Sequence, residues 1–368
     1  MKTCHTWLLC VWLAFPTLAT RQVVDDAGHT VTVPTQVQRI ADSWFAHHSV
    51  LMTLGAGRQI VATVNHPQSQ PWMFKINPSL NQALQIHGTS FNSEALLALH
   101  TDVLFVAKGK GDAQSYNQAG IPTLEMAFTD YPSMEKSVTT TADVLGTDQA
   151  RARAVAYNQF LTRTIADVRA KTATLAENQR PRVLHIQSLN PLKVDGRNTL
   201  IDTWIALSGG RNVAGEVDGN MKEVSPERVL YWQPEVIILG AGCGDIASSP
   251  YAALFKELNA VKQGKVWRNP AGVFPWDRYG TESALQLQWA ASKLHPALFG
   301  GLDMVNVTRD FYRQFFDYSL SEAQAKRILA GHPHRGKAGS ADGQMQASSG
   351  LHAVFAVTNR VAVYRVWR

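Results

Sequence analysis

The chain has 368 residues, 45% of them hydrophobic and 17% charged, with a net charge of +6. That length supports two hydrophobic cores, and the composition excludes both a disordered chain and an integral membrane protein. Four of the net positive charges lie beyond Gly331 and one is Lys2, which leaves residues 20–330 at +1; a body so close to neutral has no basic stripe for tracking phosphates, so nucleic acid is excluded as a partner.

Residues 1–19 read as an export signal. Lys2 gives a positive start, residues 7–15 an apolar run, and Thr17, Leu18 and Ala19 a cleavage site, so the mature protein is expected to begin near Thr20. The apolar run stops at Pro16, well short of the ~20 residues of a membrane span. Cys10 follows Leu9 inside this run, which points to a soluble periplasmic protein rather than a lipoprotein. Cys4 and Cys10 leave with the signal, and Cys243 then has no disulfide partner and no cysteines with which to hold zinc.

Residues 23–33 alternate around Asp26, Ala27, Gly28 and His29, a turn signal that predicts an opening hairpin. Arg39, Ile40 and Ala41 lead into a short apolar helix closed by Gly55. Residues 59–64 read as strand, 94–99 as helix and 103–106 as strand, and 120–124 start the next β/α unit. Such alternation argues for a parallel or mixed sheet covered on both faces. Residues 132–177 differ, being rich in helix-forming Ala, Arg, Gln and Leu. Tyr157, Leu161, Ile165 and Val168 recur at helical spacing, so 148–177 is expected as one helix ~45 Å long. Pro181 ends it, and β/α alternation resumes over 182–187, 200–208, 228–232, 236–239, 251–258 and 265–267.

The predicted fold class is therefore α/β, with two Rossmann-like lobes, each a sheet flanked by helices, joined by one long rigid α-helix. The N-terminal lobe spans 20–130, the interlobe helix 131–178 and the C-terminal lobe 179–330. Residues 331–368 form a tail, expected to be disordered, in which 351–367 alternates like a strand without a domain to complete. An appended β segment and a frame-shifted extension are both compatible with it.

An internal repeat is the most informative feature. Residues 92–105, beginning Asn92-Ser93-Glu94, align without a gap on residues 225–238, beginning Ser225-Pro226-Glu227. Each copy has an N-cap residue, Glu at the second helical position, one or two apolar turns, an acid and a buried strand. One copy per lobe implies a shared construction plan.

Together with the opening Asp25-Asp26-Ala27-Gly28-His29, the Val33-Pro34 and Arg39-Ile40 pairs, and the run from Thr199 through Ser208-Gly209-Gly210 to Asn212, these features resemble the helical-backbone class III periplasmic substrate-binding proteins of ABC importers, the iron-siderophore and cobalamin type. The likeness spans roughly residues 22–330. It implies a non-enzymatic receptor that captures an iron-siderophore-type chelate between two lobes and passes it to an inner-membrane permease dimer with its ATPase. Cobalamin, haem, a nickel or cobalt chelate and molybdate are alternatives. It also implies that Glu94 and Glu227 meet the permease. A Glu in a helix's first turn stabilises that helix by ~0.3–1 kcal/mol whatever else it does, and only the matched placement suggests docking. No catalytic cofactor is expected, the metal being chelated cargo, and the protein is expected to be a monomer in the periplasm.

In such a fold the ligand lies between the lobes, against loops at strand ends. Candidate ligand residues are Trp44, Phe45, His47, His48, His66, Trp72, His87 and Lys108 from the first lobe, and Arg197, Lys222, Trp276, Arg278 and Tyr279 from the second. Rings can cover an organic chelate while Arg and Lys offset its charge. His47, His48, His66 and His87 are also candidate metal ligands, directly or through a chelate, although each alone reads first as a hydrogen-bonding loop residue. Molybdate would call for hydroxyls and backbone amides rather than four histidines. A metal-dependent hydrolase using Asp42 or Asp277 is the distant rival, without a local ligand motif to support it.

Overall fold

The computed structural model describes residues 19–110 and 112–332. The predicted tail beyond residue 332 and all of the export signal but Ala19 lie outside them. β1 (Thr20–Val24) and β2 (Thr30–Pro34) pair antiparallel as the expected hairpin. Gly28, at φ 89°, supplies the left-handed turn residue.

The first lobe alternates β3 (Ile40–Asp42), α1 (His47–Thr53), β4 (Ile60–Thr63), α2 (Pro71–Ile76), β5 (Leu84–Gln85), α3 (Ser93–Ala98), β6 (Val103–Ala107), α4 (Ala113–Gln118) and β7 (Thr123–Met126). Its sheet has the order β5-β4-β3-β6-β7, all parallel. Side chains of successive strand residues point to opposite faces. Accordingly Ala41, Ala62, Leu104 and Val106 pack with Leu96 on one face, while Ile40, Ile60, Val103 and Phe105 enter the larger core on the other.

Residues 131–178, expected as a single helix, hold two: α5 (Tyr131–Leu145) and α6 (Asp148–Thr172). Asp130 and Ser133 form a capping box that starts α5. Gly146 stops it at φ 76°, where an added Cβ would lie 2.2 Å from the Thr35 carbonyl oxygen, so only glycine fits. Thr147 then caps α6 by accepting from the Ala150 N–H. The strut is thus 25 residues, ~37 Å, and ends five residues before the expected boundary.

The second lobe contains β8 (Arg182–Leu189), β9 (Leu192–Val194), α7 (Leu200–Leu207), β10 (Arg211–Asn212), β11 (Lys222–Glu223), α8 (Pro226–Trp232), β12 (Val236–Leu239), α9 (Ala252–Phe255), α10 (Asn259–Lys262), β13 (Val266–Arg268) and α11 (Ser283–Leu294). Two closing helices follow, α12 (Met304–Phe315) and α13 (Glu322–Leu329). The sheet order is β11-β9-β8-β12-β13, with β10 beside β8; β8, β12 and β13 are parallel and β9 is antiparallel to both neighbours.

Helix α6 packs on α5 and α1 at one end and on α7 and α11 at the other. Tyr157 and Phe160 on its buried side meet Phe311 and Phe315 of α12 edge to face. One core cluster therefore runs through both lobes. Buried polar bonds reinforce it behind the cleft: Thr281 N–H donates to Ser49 Oγ (3.0 Å), Thr53 Oγ1 to Thr281 Oγ1 (2.9 Å), and Tyr157 OH to the Thr281 carbonyl (2.7 Å). The lobes are fastened along this seam, so movement between them is restricted to flexing about it.

Candidate functional site

The parallel strands of both lobes end on edges that face each other. β7 leads directly to Phe128, whose ring lies 5.6 Å from that of Tyr279 on the second lobe and 5.4 Å from that of Trp44 on the first. Three rings thus mark where the lobes meet, at the carboxyl ends of the strands where open α/β sheets bind ligands.

On the first-lobe side, β3 ends in Asp42, and the chain turns through Trp44 and Phe45 into α1. Asp42 accepts from the Trp44 N–H (2.9 Å) and pairs with His47 Nδ1 (2.8 Å). His47 Nε2 meets Thr141 Oγ1 at 3.0 Å, while His48 places Nδ1 on the Trp44 carbonyl (3.1 Å) and Nε2 on Thr63 Oγ1 (2.7 Å). Both histidines are fully buried. The expectation that they contact ligand or metal is corrected accordingly: every ring nitrogen is already engaged inside the lobe, leaving no lone pair for a metal. Burial pushes the His48 pKa down, which keeps that ring neutral.

Two tryptophans are corrected in the same way. Trp72 is buried on α2, its indole N–H donating to the His332 carbonyl. Trp276 is buried, donating to Glu282 (2.7 Å). Their size and apolarity placed them in cores rather than in the cleft. Of the remaining candidates, His66 and His87 stack at 4.5 Å beyond β4, with His66 Nε2 donating to the Ile86 carbonyl. Lys108, Arg197 and Lys222 are exposed, Arg197 lying 3.9 Å from Asp218. Trp44, Phe45, Arg278 and Tyr279 remain at the meeting edges, together with Phe128.

The second-lobe side carries charge. Arg278 Nη1 donates to Asp195 Oδ2 (2.8 Å), which also meets His185 Nδ1 (2.8 Å); His185 Nε2 in turn meets Asp277 Oδ2 (2.6 Å). Asp195 Oδ1 accepts from the Met221 N–H at 2.8 Å. This alternating row of two anions and two cations is almost fully buried. Burial alone would lower the His185 pKa, but the two carboxylates outweigh it and push it up to about 9, so the ring is cationic at neutral pH. Burial acts to raise the Asp195 pKa; Arg278 and His185 overcome it and hold that carboxyl well below the usual range.

Beside this row, Gln187 Oε1 and Asp277 Oδ1 are buried without a hydrogen-bond partner among the described residues. Gly240 lies against both side chains, and a Cβ there would come within 3.0 Å of Gln187 Oε1. Tyr279 OH donates to Asn220 Oδ1 (2.8 Å), which fixes its ring at the edge. Sequence reasoning missed Phe128, Gln187, His185, Asp195 and Asn220. Phe128 had a usable signal, since it directly follows a strand end. His185 had none, because it sits in mid-strand between the apolar Leu184 and Ile186.

Away from the cleft, Asp25, His29 and Glu125 bring three ligand-type atoms within 4.8 Å of one another beside an open cavity of about 830 Å³. Asp25 there accepts from the Ala27, His29 and Glu125 N–H groups, so this group fastens the hairpin to β7.

The repeated helices also take equivalent places. Asn92 and Ser225 cap α3 and α8 by accepting from the Ala95 and Arg228 N–H groups. β5 and β11 run in the same sense as the central strands of their sheets, and each helix returns to the start of the next strand. Both helices therefore begin at the cleft edge, with Glu94 and Glu227 exposed there.

Residues 48–271 match the family described as periplasmic binding protein. The chain belongs to that family. This periplasmic binding protein is 25% identical over 345 residues to the molybdate-binding protein MolA of Haemophilus influenzae, covering 86% of this chain and 96% of the relative. Its fold matches the molybdate-bound structure of MolA with a TM-score of 0.72 at 21% identity, over 82% of this chain and 99% of the other. A periplasmic solute binding protein from Veillonella parvula matches with a TM-score of 0.72 at 23% identity, over 84% and 97%. Helicobacter pylori CeuE with Ni(II) bound matches at 0.67 and 19% identity, over 84% and 99%. The two-lobed α/β fold is thus shared with proteins solved with molybdate and with Ni(II) bound. The family and these relatives are solute-binding proteins rather than enzymes.

Proposed function

We propose that this periplasmic binding protein captures a small metal oxyanion of the molybdate class between its lobes and delivers it to the permease of an ABC importer. The observation that carries the reading is Arg278, tethered by Asp195 beside the joined rings of Trp44, Phe128 and Tyr279. A nearly buried guanidinium offers directed donors to a compact anion, and in such a low-dielectric setting the attraction is stronger than in water. The similarity to MolA supports the same class. Four cleft histidines argued against molybdate in the sequence; two of them are core residues with both nitrogens engaged, so that objection loses its force.

The iron-siderophore chelate expected from sequence is the second reading. It is favoured by the ring-rich wall and by His66, whose Nδ1 makes no hydrogen bond among the described residues. Titration calorimetry on the exported, dialysed protein separates the two. One-to-one binding of molybdate and tungstate, with no heat from ferric hydroxamate or catecholate, is the expected result. Binding of a ferric chelate alone transfers the assignment to the second reading.

No covalent chemistry belongs to this role. Asp42 and Asp277, the acids available to a hydrolase, are each buried against a histidine, and Asp277 is part of the row that holds Arg278. Export to the periplasm follows from the signal at residues 1–19. A monomeric receptor with two matched lobes suits a two-subunit permease coupled to its ATPase, docking through Glu94 and Glu227. Reversing both charges is expected to leave cargo affinity unchanged and stop uptake; normal uptake by the double variant overturns the docking assignment.

A further inference from the structure

Tyr231 of α8 is 80% exposed, and Leu97 of α3 is 47% exposed. Each lies one helical turn beyond a docking glutamate, Tyr231 four residues after Glu227 and Leu97 three after Glu94, so each shares a helix face with its carboxylate. Neither glutamate makes a hydrogen bond or ion pair among the described residues, whereas the adjacent Arg228 is spent on Glu216 at 2.8 Å. Both helices thus present an unpaired anion beside an apolar side chain, on the edge where the cleft opens. Neighbours at the same helices, Leu96 and Val229, are fully buried and do the core packing, which leaves the exposed pair without a role in the fold.

The two lobes differ in register. In the repeat, Leu97 aligns with the partly buried Leu230, while Tyr231 aligns with Ala98. The apolar side chain has moved by one position and become an aromatic ring in the second lobe.

Resting on the docking assignment above, we infer that Tyr231 is the principal apolar anchor for the permease, seated in a recess beside the cation that meets Glu227, and that Leu97 makes a smaller matching contact beside Glu94. The unpaired carboxylates select a cationic partner surface and orient the encounter. The ring supplies contact area and a slow dissociation, since a large side chain with few rotatable bonds loses little entropy when held. Docking is therefore unequal, with the second lobe holding more tightly than the first.

Biolayer interferometry with the full exported chain and the cognate permease–ATPase complex in nanodiscs tests this. Tyr231→Ala is expected to weaken docking by about tenfold or more, mainly through faster dissociation; Tyr231→Phe is expected to stay within about twofold of the parent, and Leu97→Ala to lose about threefold. Cargo affinity serves as the folding control and is expected to be unchanged in all three. If Glu94→Gln and Glu227→Gln weaken docking but Tyr231→Ala does not, the anchor is overturned and the glutamate contacts stand. If none of these variants weakens it, the docking assignment falls together with the anchor.

Discussion

The two lobes repeat one construction plan but equip the cleft differently. The first lobe brings rings, Trp44, Phe45 and Phe128, backed by histidines that are buried and fully bonded. The second brings fixed charge, in the row from Asp277 through His185 and Asp195 to Arg278. The lobes thus share a frame and differ at their strand ends, where one carries rings and the other a row of paired charges. On the proposed reading, an anion entering the cleft would meet Arg278 on one wall and the rings on the other.

Breaking the charged wall has the largest expected effect. Arg278→Ala removes charge-assisted hydrogen bonds and leaves Asp195 short of a cation, so affinity for the oxyanion is expected to fall at least about 100-fold by calorimetry. His185→Gln sharpens the contrast through pH. The folded pKa of His185, about 9, lies above the ordinary histidine value of 6.5, so its contribution is complete below about pH 6.5 and is lost as pH rises through 9. Denaturant unfolding of the parent is expected to lose on the order of 3 kcal/mol across that window. The His185→Gln variant is expected to be nearly flat there. A parent curve without this decline would contradict a cationic His185.

The aromatic wall should matter less. Phe128→Ala removes one ring contact to Tyr279 and one to Trp44, and is expected to weaken cargo binding by about tenfold while leaving pH dependence intact. The smallest effect belongs to the seam between the lobes. Thr53→Val deletes the hydroxyl that donates to Thr281 and is expected to cost about 1 kcal/mol in unfolding, with little change in cargo affinity.

Much of the fold was legible because its signals are local and periodic. The hairpin turn at Gly28, the strands ending near Val64 and Leu239, and the repeated caps at Asn92 and Ser225 each carry their cause within a few residues. The break in the interlobe segment was less visible, because Gly146 is obligatory through a contact with Thr35, more than a hundred positions earlier. Arg278 and Tyr279 were readable as a cation and a ring in a loop. Their setting was not, since Asp195, His185 and Asp277 converge only when β8, β9 and the loop before α11 are assembled. The histidines mislead for a related reason: composition marks them as ligands, whereas burial and partners decide whether a lone pair is free.

An anomalous difference map from crystals grown with molybdate or tungstate addresses the account most directly. A single strong peak within hydrogen-bonding reach of the Arg278 guanidinium, beside the Phe128–Tyr279 ring contact, is the predicted result. A metal peak anywhere else on an ordered protein, or a fully occupied site that leaves Arg278 untouched, would contradict it.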